Sequence, residues 1–402
     1  MAQIHLKSAD ELAAPISGAE LLERVRAVLP QIAANADRAE EERRIPPENI
    51  ALLKEAGLYR AFQPRIYGGL ELLAQDYVPC LIALASACGA TAWVSSLLAQ
   101  HVHAVALFSR EAQNEIWGVD SGEALIASSV APMGKAEVVD GGILLSGKFG
   151  FSSGSDHAQW YMLGFRHPDF QAPQDKHFAI VAREDVTILD DWDTVGLQGT
   201  GSKTLTLDKA FVPNRRIEML VALSTGKSKG FGSNESAIYH AAFVPHFNIG
   251  FPAVAIGMAL RMAEVYAERT KSRIKVFTGQ NATARSPAAI RLARGIFPAE
   301  AALSHLEKDL RAIDARGAKR ELPTTDEAFR FRTNHSYCIQ LAIQGANELF
   351  GGSGGSAWFR SNELQRLWRN INMCGAHAGT DYDTCSEVLG RYRLGLDLDP
   401  SL

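Results

Sequence analysis

The stretch ASSVAPMGKAEVVDGGILLSGKFGFSSGSDHA, residues 127–158, decides how this 402-residue chain is read. Apolar and polar residues alternate along it, and Asp140-Gly141-Gly142 breaks the alternation where a hairpin would turn. At its end Phe149 and Phe151 flank Gly150, and then Ser152, Ser153, Gly154, Ser155, Asp156 and His157 crowd hydroxyls, a carboxylate and an imidazole together. A turn of that composition has backbone freedom and little bulk. It is built either to close a hairpin with serine-turn hydrogen bonds or to hold a flat ligand close to the backbone.

Outward from this stretch the periodicity changes. Before it, Ser17-Gly18-Ala19-Glu20 has the form of a helix-capping box. Leu21, Leu22, Val25, Val28, Leu29 and Ile32 follow at helical spacing, and a second helix opens at Pro46-Pro47-Glu48 and stops at Gly57. From 77 to 109 no Asp, Glu, Lys or Arg occurs, a length that could span a bilayer. Pro79, Gly89, Gln100, His101 and His103 within it, and the lack of a distinctive basic flank, predict a helix pair buried in protein instead. After it, segments at 159–166, 176–182, 185–192 and 203–213 read as further short strands of a compact antiparallel unit. Residues 223–236, rich in Gly and Ser, read as an exposed link, and helical periodicity then returns at about 254–271, 287–316, 326–350 and 363–393. The expected fold class is therefore α+β: a helical domain over 1–122, a central β domain over 123–228 and a four-helix bundle over 229–402.

Composition excludes several functions. With 41 basic and 45 acidic residues the net charge is only -4, which advertises neither nucleic acid nor an anionic membrane as partner. Five scattered cysteines form no C-x-x-C pair and no zinc spacing, so no metal site is expected and the thiols read as reduced. The start, MAQIHLKSADELAAP, lacks the basic and apolar regions of a signal peptide, which predicts a cytoplasmic protein. No G-x-G-x-x-G opens a helix after a strand, so a nicotinamide site has no support.

The order of parts resembles the acyl-CoA dehydrogenase fold. WDTVGLQGTGSKTLTLDKAFVP (192–213) is similar to that family's loop leading into a strand that ends Phe-Val-Pro; Arg273 with Phe277-Thr278-Gly279, and Gln344 with Gly351-Gly352-Ser353-Gly354, resemble its flavin-facing segments. The resemblance covers nearly the whole chain. Where acyl-CoA dehydrogenases commonly carry a catalytic Glu, this chain has His377-Ala378-Gly379-Thr380, and alanine cannot take a proton. Three separate stretches instead resemble the oxygenase components of two-component aromatic monooxygenases, with 4-hydroxyphenylacetate 3-hydroxylase the nearer relative: CGATAWVSSLLAQHVHAVALFS, the opening stretch with Phe151 for the usual Trp, and NELQRLWRNINMCGAHAGTDYD.

That resemblance implies FMNH2 or FADH2 received by diffusion from a separate NAD(P)H:flavin reductase. It implies reaction with O2 to a C4a-hydroperoxide, and hydroxylation of a small phenol ortho to its hydroxyl. It assigns His101 and Ser128 to the phenolic hydroxyl, Ser153 to flavin N5 and His377 to the oxygen-bearing face of the flavin. Trp93 and Phe247 become pocket walls, with Val244, His246 and Gly379 lining the pocket. Phe151, Ser152, Ser153, Gly154, Arg273, Gln344, Gly351, Gly352 and His377 become cofactor contacts. Val244 and Gly379 stand where the hydroxyphenylacetate enzyme has Arg and Tyr. Loss of a guanidinium removes a partner for a substrate carboxylate, which His246 would replace in part. Arg369-Asn370-Ile371-Asn372 replaces the usual Arg-Asp-x-His. A homotetramer is the expected assembly. An FAD-dependent acyl-CoA dehydrogenase, an indole or heteroatom monooxygenase and a non-catalytic flavin-binding relative are the alternatives.

Overall fold

In the computed structural model of the chain, residues 16–118, 122–170, 172, 175–241, 243–274, 276–284 and 286–398 are described. The start of the chain that carries the signal-peptide reading lies outside them. Six helices come first: α1 Gly18–Ala34, α2 Ala36–Glu41, α3 Pro47–Ala56, α4 Ala74–Ala87, α5 Gly89–Val105 and α6 Arg110–Trp117. Ser17 caps α1 by accepting from Glu20 N at 3.1 Å, and Gly57 ends α3 in a left-handed conformation.

The uncharged run forms the hairpin of α4 and α5. Every residue of α5 is buried, as expected of a helix with no polar face. It packs against α4, strand β1 (Ile126–Val139), the turn Gln198–Thr200, and the later helices α8 (Phe243–Phe247) and α9 (Gly250–Ser272). At its start Gly89 lies so close to α9 that an added Cβ would meet Met258 Sδ at 2.1 Å.

The remaining strands are β2 Gly142–Ser152, β3 Trp160–Arg166, β4 Lys176–Ala182, β5 Thr187–Leu189, β6 Lys203–Pro213 and β7 Ile217–Met219, followed by the short helix α7 Leu220–Ser224. They form one seven-stranded sheet in the order β5-β6-β2-β1-β3-β4-β7. Pairing is antiparallel except between β1 and β3, which run parallel from Ile126↔Trp160 onward. The sequence reading expected antiparallel pairing throughout. The exception arises at 153–159: this turn carries the chain from the end of β2 across the start of β1, where Gln159 N and Trp160 N both donate to Leu125 O. The next strand therefore begins beside the first residue of β1 and keeps its direction.

The bundle comprises α9, α10 Ser286–Lys319, α11 Thr325–Gly351, α12 Glu363–Cys374 and α13 Tyr382–Leu394. A single helix was expected over 363–393. It is two, because α12 stops at Gly375 and Asp381 starts α13 by accepting from Thr384 N at 2.8 Å. Among the described residues one stretch, Phe243–Ser272, is long and apolar enough to cross a membrane, and 83% of its most apolar window is buried within the protein, as the core of a bundle is.

Candidate active site

Strand β2 leaves its ladder at the residues that end the opening stretch. Pairing with β6 slips between Phe149 and Ser152, and Phe151 takes a left-handed φ of 62° with 78% of its surface exposed. Gly154, at φ +72°, turns the chain back, and a Cβ there would meet Val94 Cγ1 of α5 at 2.6 Å. This glycine is thus required by the turn and by the approach of α5. Asp156 and His157 are ties rather than chemistry: Lys203 Nζ lies 3.0 Å from Asp156 Oδ2, and a His157 ring nitrogen lies 2.9 Å from Ile45 O. Ser152 is fully buried, its hydroxyl without a hydrogen-bond partner among the described residues.

Held in this way, Ser153 Oγ accepts from Trp93 Nε1 at 3.3 Å and meets Ser202 Oγ at 2.7 Å. Trp93 lies on α5 and its ring reaches two others: Phe251 at 5.0 Å and His377 at 5.7 Å between centroids. His377 sits in the break between α12 and α13, 4.2 Å from the Phe251 ring, and its Nδ1 accepts from Gly379 N at 3.1 Å. The residue is half-buried, and burial lowers its pKa to about 4. The neutral ring therefore carries its proton on Nε2. Gly379 leaves little room: a Cβ would sit 3.1 Å from His377 Cε1.

Two turns further along α5, roughly 12 Å at 1.5 Å per residue, His101 is buried beneath β1. Its Nδ1 donates to Ile126 O at 2.6 Å, which leaves Nε2 as an acceptor for the Ser128 hydroxyl at 2.7 Å. Burial lowers its pKa to about 4 against the backbone hydrogen bond. The neighbouring Ser129 bonds Gly150 O at 2.7 Å instead. Phe247, from α8, closes this end with its ring 5.5 Å from His101.

Two pocket residues sit differently from what their positions suggest. His246 stacks on His103 at 3.8 Å and meets Phe62 edge-to-face at 4.7 Å, fully buried. Burial and His103 hold its pKa far below the usual range, so it supplies no positive charge. Val244 is a half-buried apolar residue packed on the core. Arg273 donates from Nη1 to Gly352 O at 2.9 Å and lies near Gly354, while Gln344 is exposed on α11. Arg273, Gly352 and Gly354 gather at the end of α11, and the contacts of Arg273 are with that turn rather than with Ser153 or His377. Sequence reasoning missed Phe251, whose signal was its i+4 spacing from Phe247, and it missed Thr200 and Ser202; it marked Asn370 as a departure without giving it a role.

Comparison with known proteins shows the family to which the chain belongs. Acyl-CoA dehydrogenase N-terminal and C-terminal domains match residues 19–120 and 249–382. Over 388 residues, 96% of this chain and 92% of the relative, the sequence is 41% identical to p-hydroxyphenylacetate 3-hydroxylase, oxygenase component, of Acinetobacter baumannii. The chain belongs to the flavin-dependent monooxygenase oxygenase components of acyl-CoA dehydrogenase fold. Within this family it is 31% identical over 392 residues, 94% of each chain, to the FADH2-dependent resorcinol hydroxylase, oxygenase component, of a Rhizobium species. The crystal structure of 3-HSA hydroxylase from Rhodococcus sp. RHA1 superposes with a TM-score of 0.89 at 32% identity, covering 95% of this chain and 99% of that one.

The residues present fit the reduced flavin that the family uses. Phe151 exposes an aromatic ring on strained backbone, Trp192 meets its edge at 5.8 Å, and Ser153 offers a hydroxyl beside it. An apolar ring held in water this way has a reason if a flat heteroaromatic ring covers it.

Proposed function

We propose that this oxygenase component hydroxylates a small neutral phenol ortho to its hydroxyl, using FMNH2 or FADH2 delivered by diffusion from a separate NAD(P)H:flavin reductase, and O2. A reduced flavin bound there would supply the electrons that activate dioxygen for transfer to the ring. The pair His101–Ser128 carries the reading. Ser128 gives its proton to His101 Nε2, so its oxygen is left to accept the phenolic O–H. With an imidazole near 4 and a phenol near 10, full proton transfer in the ground state is disfavoured. The dyad instead accepts a hydrogen bond, and the proton follows as the ring is attacked.

Trp93, Phe247 and Phe251 wall the space and keep water out; His377 points an Nε2–H, not a lone pair, away from Gly379 and holds or returns a proton on the flavin side. Ser153, Phe151 and Gly154 form the flavin edge of the site. Val244 and the neutral His246 argue for an uncharged substrate, because no cation there would compensate a carboxylate.

Arg273, Gln344, Gly351 and Gly352 would meet flavin across a subunit boundary in a homotetramer. Phe277, wholly exposed, together with exposed Val276, Trp358 and Phe359, supplies an apolar face for that contact. The five cysteines are free and buried, in keeping with a cytoplasmic enzyme.

The test is incubation with chemically reduced FMN or FAD, oxygen and a panel of phenols. Resorcinol-like and other neutral phenols are expected to give the ortho-hydroxylated product, and 4-hydroxyphenylacetate less of it. Hydrogen peroxide alone from every phenol would contradict the proposal.

A further inference from the structure

Ser153 stands at one end of a row of hydroxyls whose other end is fixed. Leu197 is held in a left-handed conformation, φ 48°, by Asn370 Oδ1 of α12, which accepts from Leu197 N at 2.7 Å. Its carbonyl faces inward and accepts from Thr200 Oγ1 at 2.8 Å, Thr200 N at 3.0 Å and Trp192 Nε1 at 3.2 Å. Thr200 Oγ1 is 2.7 Å from Ser202 Oγ, and Ser202 Oγ is 2.7 Å from Ser153 Oγ.

Each hydroxyl has a single proton, and a carbonyl has none. The proton of Thr200 therefore goes to Leu197 O. The next contact then needs the proton of Ser202, and the one after it the proton of Ser153. The opposite order would leave Thr200 Oγ1 and Leu197 O facing each other at 2.8 Å as two acceptors. Ser153 thus spends its proton on Ser202, receives one from Trp93, and has one lone pair left.

We propose that Thr200 and Ser202 are positioning residues that hold Ser153 as a hydrogen-bond acceptor toward the flavin, so that the site favours a ring protonated at N5. This rests on the flavin reading above. A reduced isoalloxazine presents N5–H to that lone pair. An oxidised ring presents a bare nitrogen, acceptor against acceptor. Asn370 then has a part that its sequence position alone did not reveal: it anchors the carbonyl from which the order of protons is set.

Anaerobic measurement of the affinities for oxidised and reduced FMN, together with the midpoint potential of the bound flavin, tests this without turnover. In the wild-type protein reduced flavin should bind more tightly, raising the bound potential above that of free flavin. Ser202→Ala frees the Ser153 proton to turn toward N5. The preference should fall about tenfold, the effect of one hydrogen bond, and the potential by about 30 mV for a two-electron couple. Thr200→Val should do the same, because Ser202 can then reverse, whereas Thr200→Ser keeps the proton order and should keep the wild-type potential. Thermal melting confirms that each variant is folded, and three variants guard against the loss of one. Equal weakening of both redox states, with no change in potential, would mean a merely structural role and overturn the proposal. So would Thr200→Ser shifting the potential as far as Thr200→Val. If the wild-type protein binds flavin in neither state, the functional reading falls and takes this one with it. Binding with unmoved potentials overturns the proton order alone.

Discussion

Two imidazoles in this site carry their protons on opposite nitrogens. His101 has Nδ1 committed to Ile126 O and offers a lone pair at Nε2; His377 has Nδ1 accepting from Gly379 N and offers a proton at Nε2. The backbone around each ring decides which it presents, so one is suited to drawing a proton from substrate and the other to lending one. His101→Ala should lower hydroxylation by about 10²-fold or more, while flavin affinity stays near the wild-type value; single-turnover product yield and flavin titration check both. Ser128→Ala should leave His101 Nε2 buried without a donor and cost about 1–3 kcal/mol in urea denaturation. The resemblance singled out His101, Ser128 and Ser153, and the fold joins the first two by a hydrogen bond. Their other partners were not legible in the sequence, since Ile126 contributes a backbone carbonyl and Ser202 lies 49 residues from the hydroxyl it meets. No local pattern encodes such contacts. His246 misled because its position could be read and its burial could not.

At the scale of elements, the site depends on two interruptions. One is the left-handed departure of β2 at Phe151 and its return at Gly154; the other is the break between α12 and α13 that carries His377. The first was legible as a cluster of Ser, Gly and Asp after alternating residues. The second was missed because helical spacing on both sides of 375–381 reads as one helix, whereas α12 ends at Gly375 and Asp381 caps the start of α13. The parallel pairing of β1 and β3 was hidden for a related reason: strand periodicity carries no direction, and the crossing at 153–159 sets it. Gly154→Ala should destabilise the fold by about 1–3 kcal/mol, through a positive φ and overlap with Val94 together. Val94→Ala in the same chain should relieve the overlap but not the backbone strain, so chemical denaturation should show partial recovery. Full recovery would mean that φ costs nothing here.

Across the whole molecule, His101, His103 and His335 are fully enclosed, and burial brings each pKa to about 4. An unfolded histidine protonates near 6.5, so between about 6.5 and 4 the unfolded chain binds more protons than the folded one. Stability is therefore complete above that window and falls as pH drops through it, by on the order of 3 kcal/mol per histidine at the acid end. Because His246 and His377 are depressed as well, melting temperature against pH should decline steadily below 6.5, and His103→Gln should make that decline shallower without abolishing it; a flat profile from 7 to 4 would contradict the assignment of neutral rings. The layered order of helices, sheet and bundle was legible from periodicity alone. The exposure of Phe277 and Trp358 was not legible, because periodicity does not show which apolar side chains the fold leaves uncovered. The most direct test of the whole account is one turnover under ¹⁸O₂ with chemically reduced flavin and a neutral phenol, followed by mass spectrometry. One labelled oxygen in an ortho-hydroxylated product is the expected result; unlabelled phenol with all the label in hydrogen peroxide would contradict it.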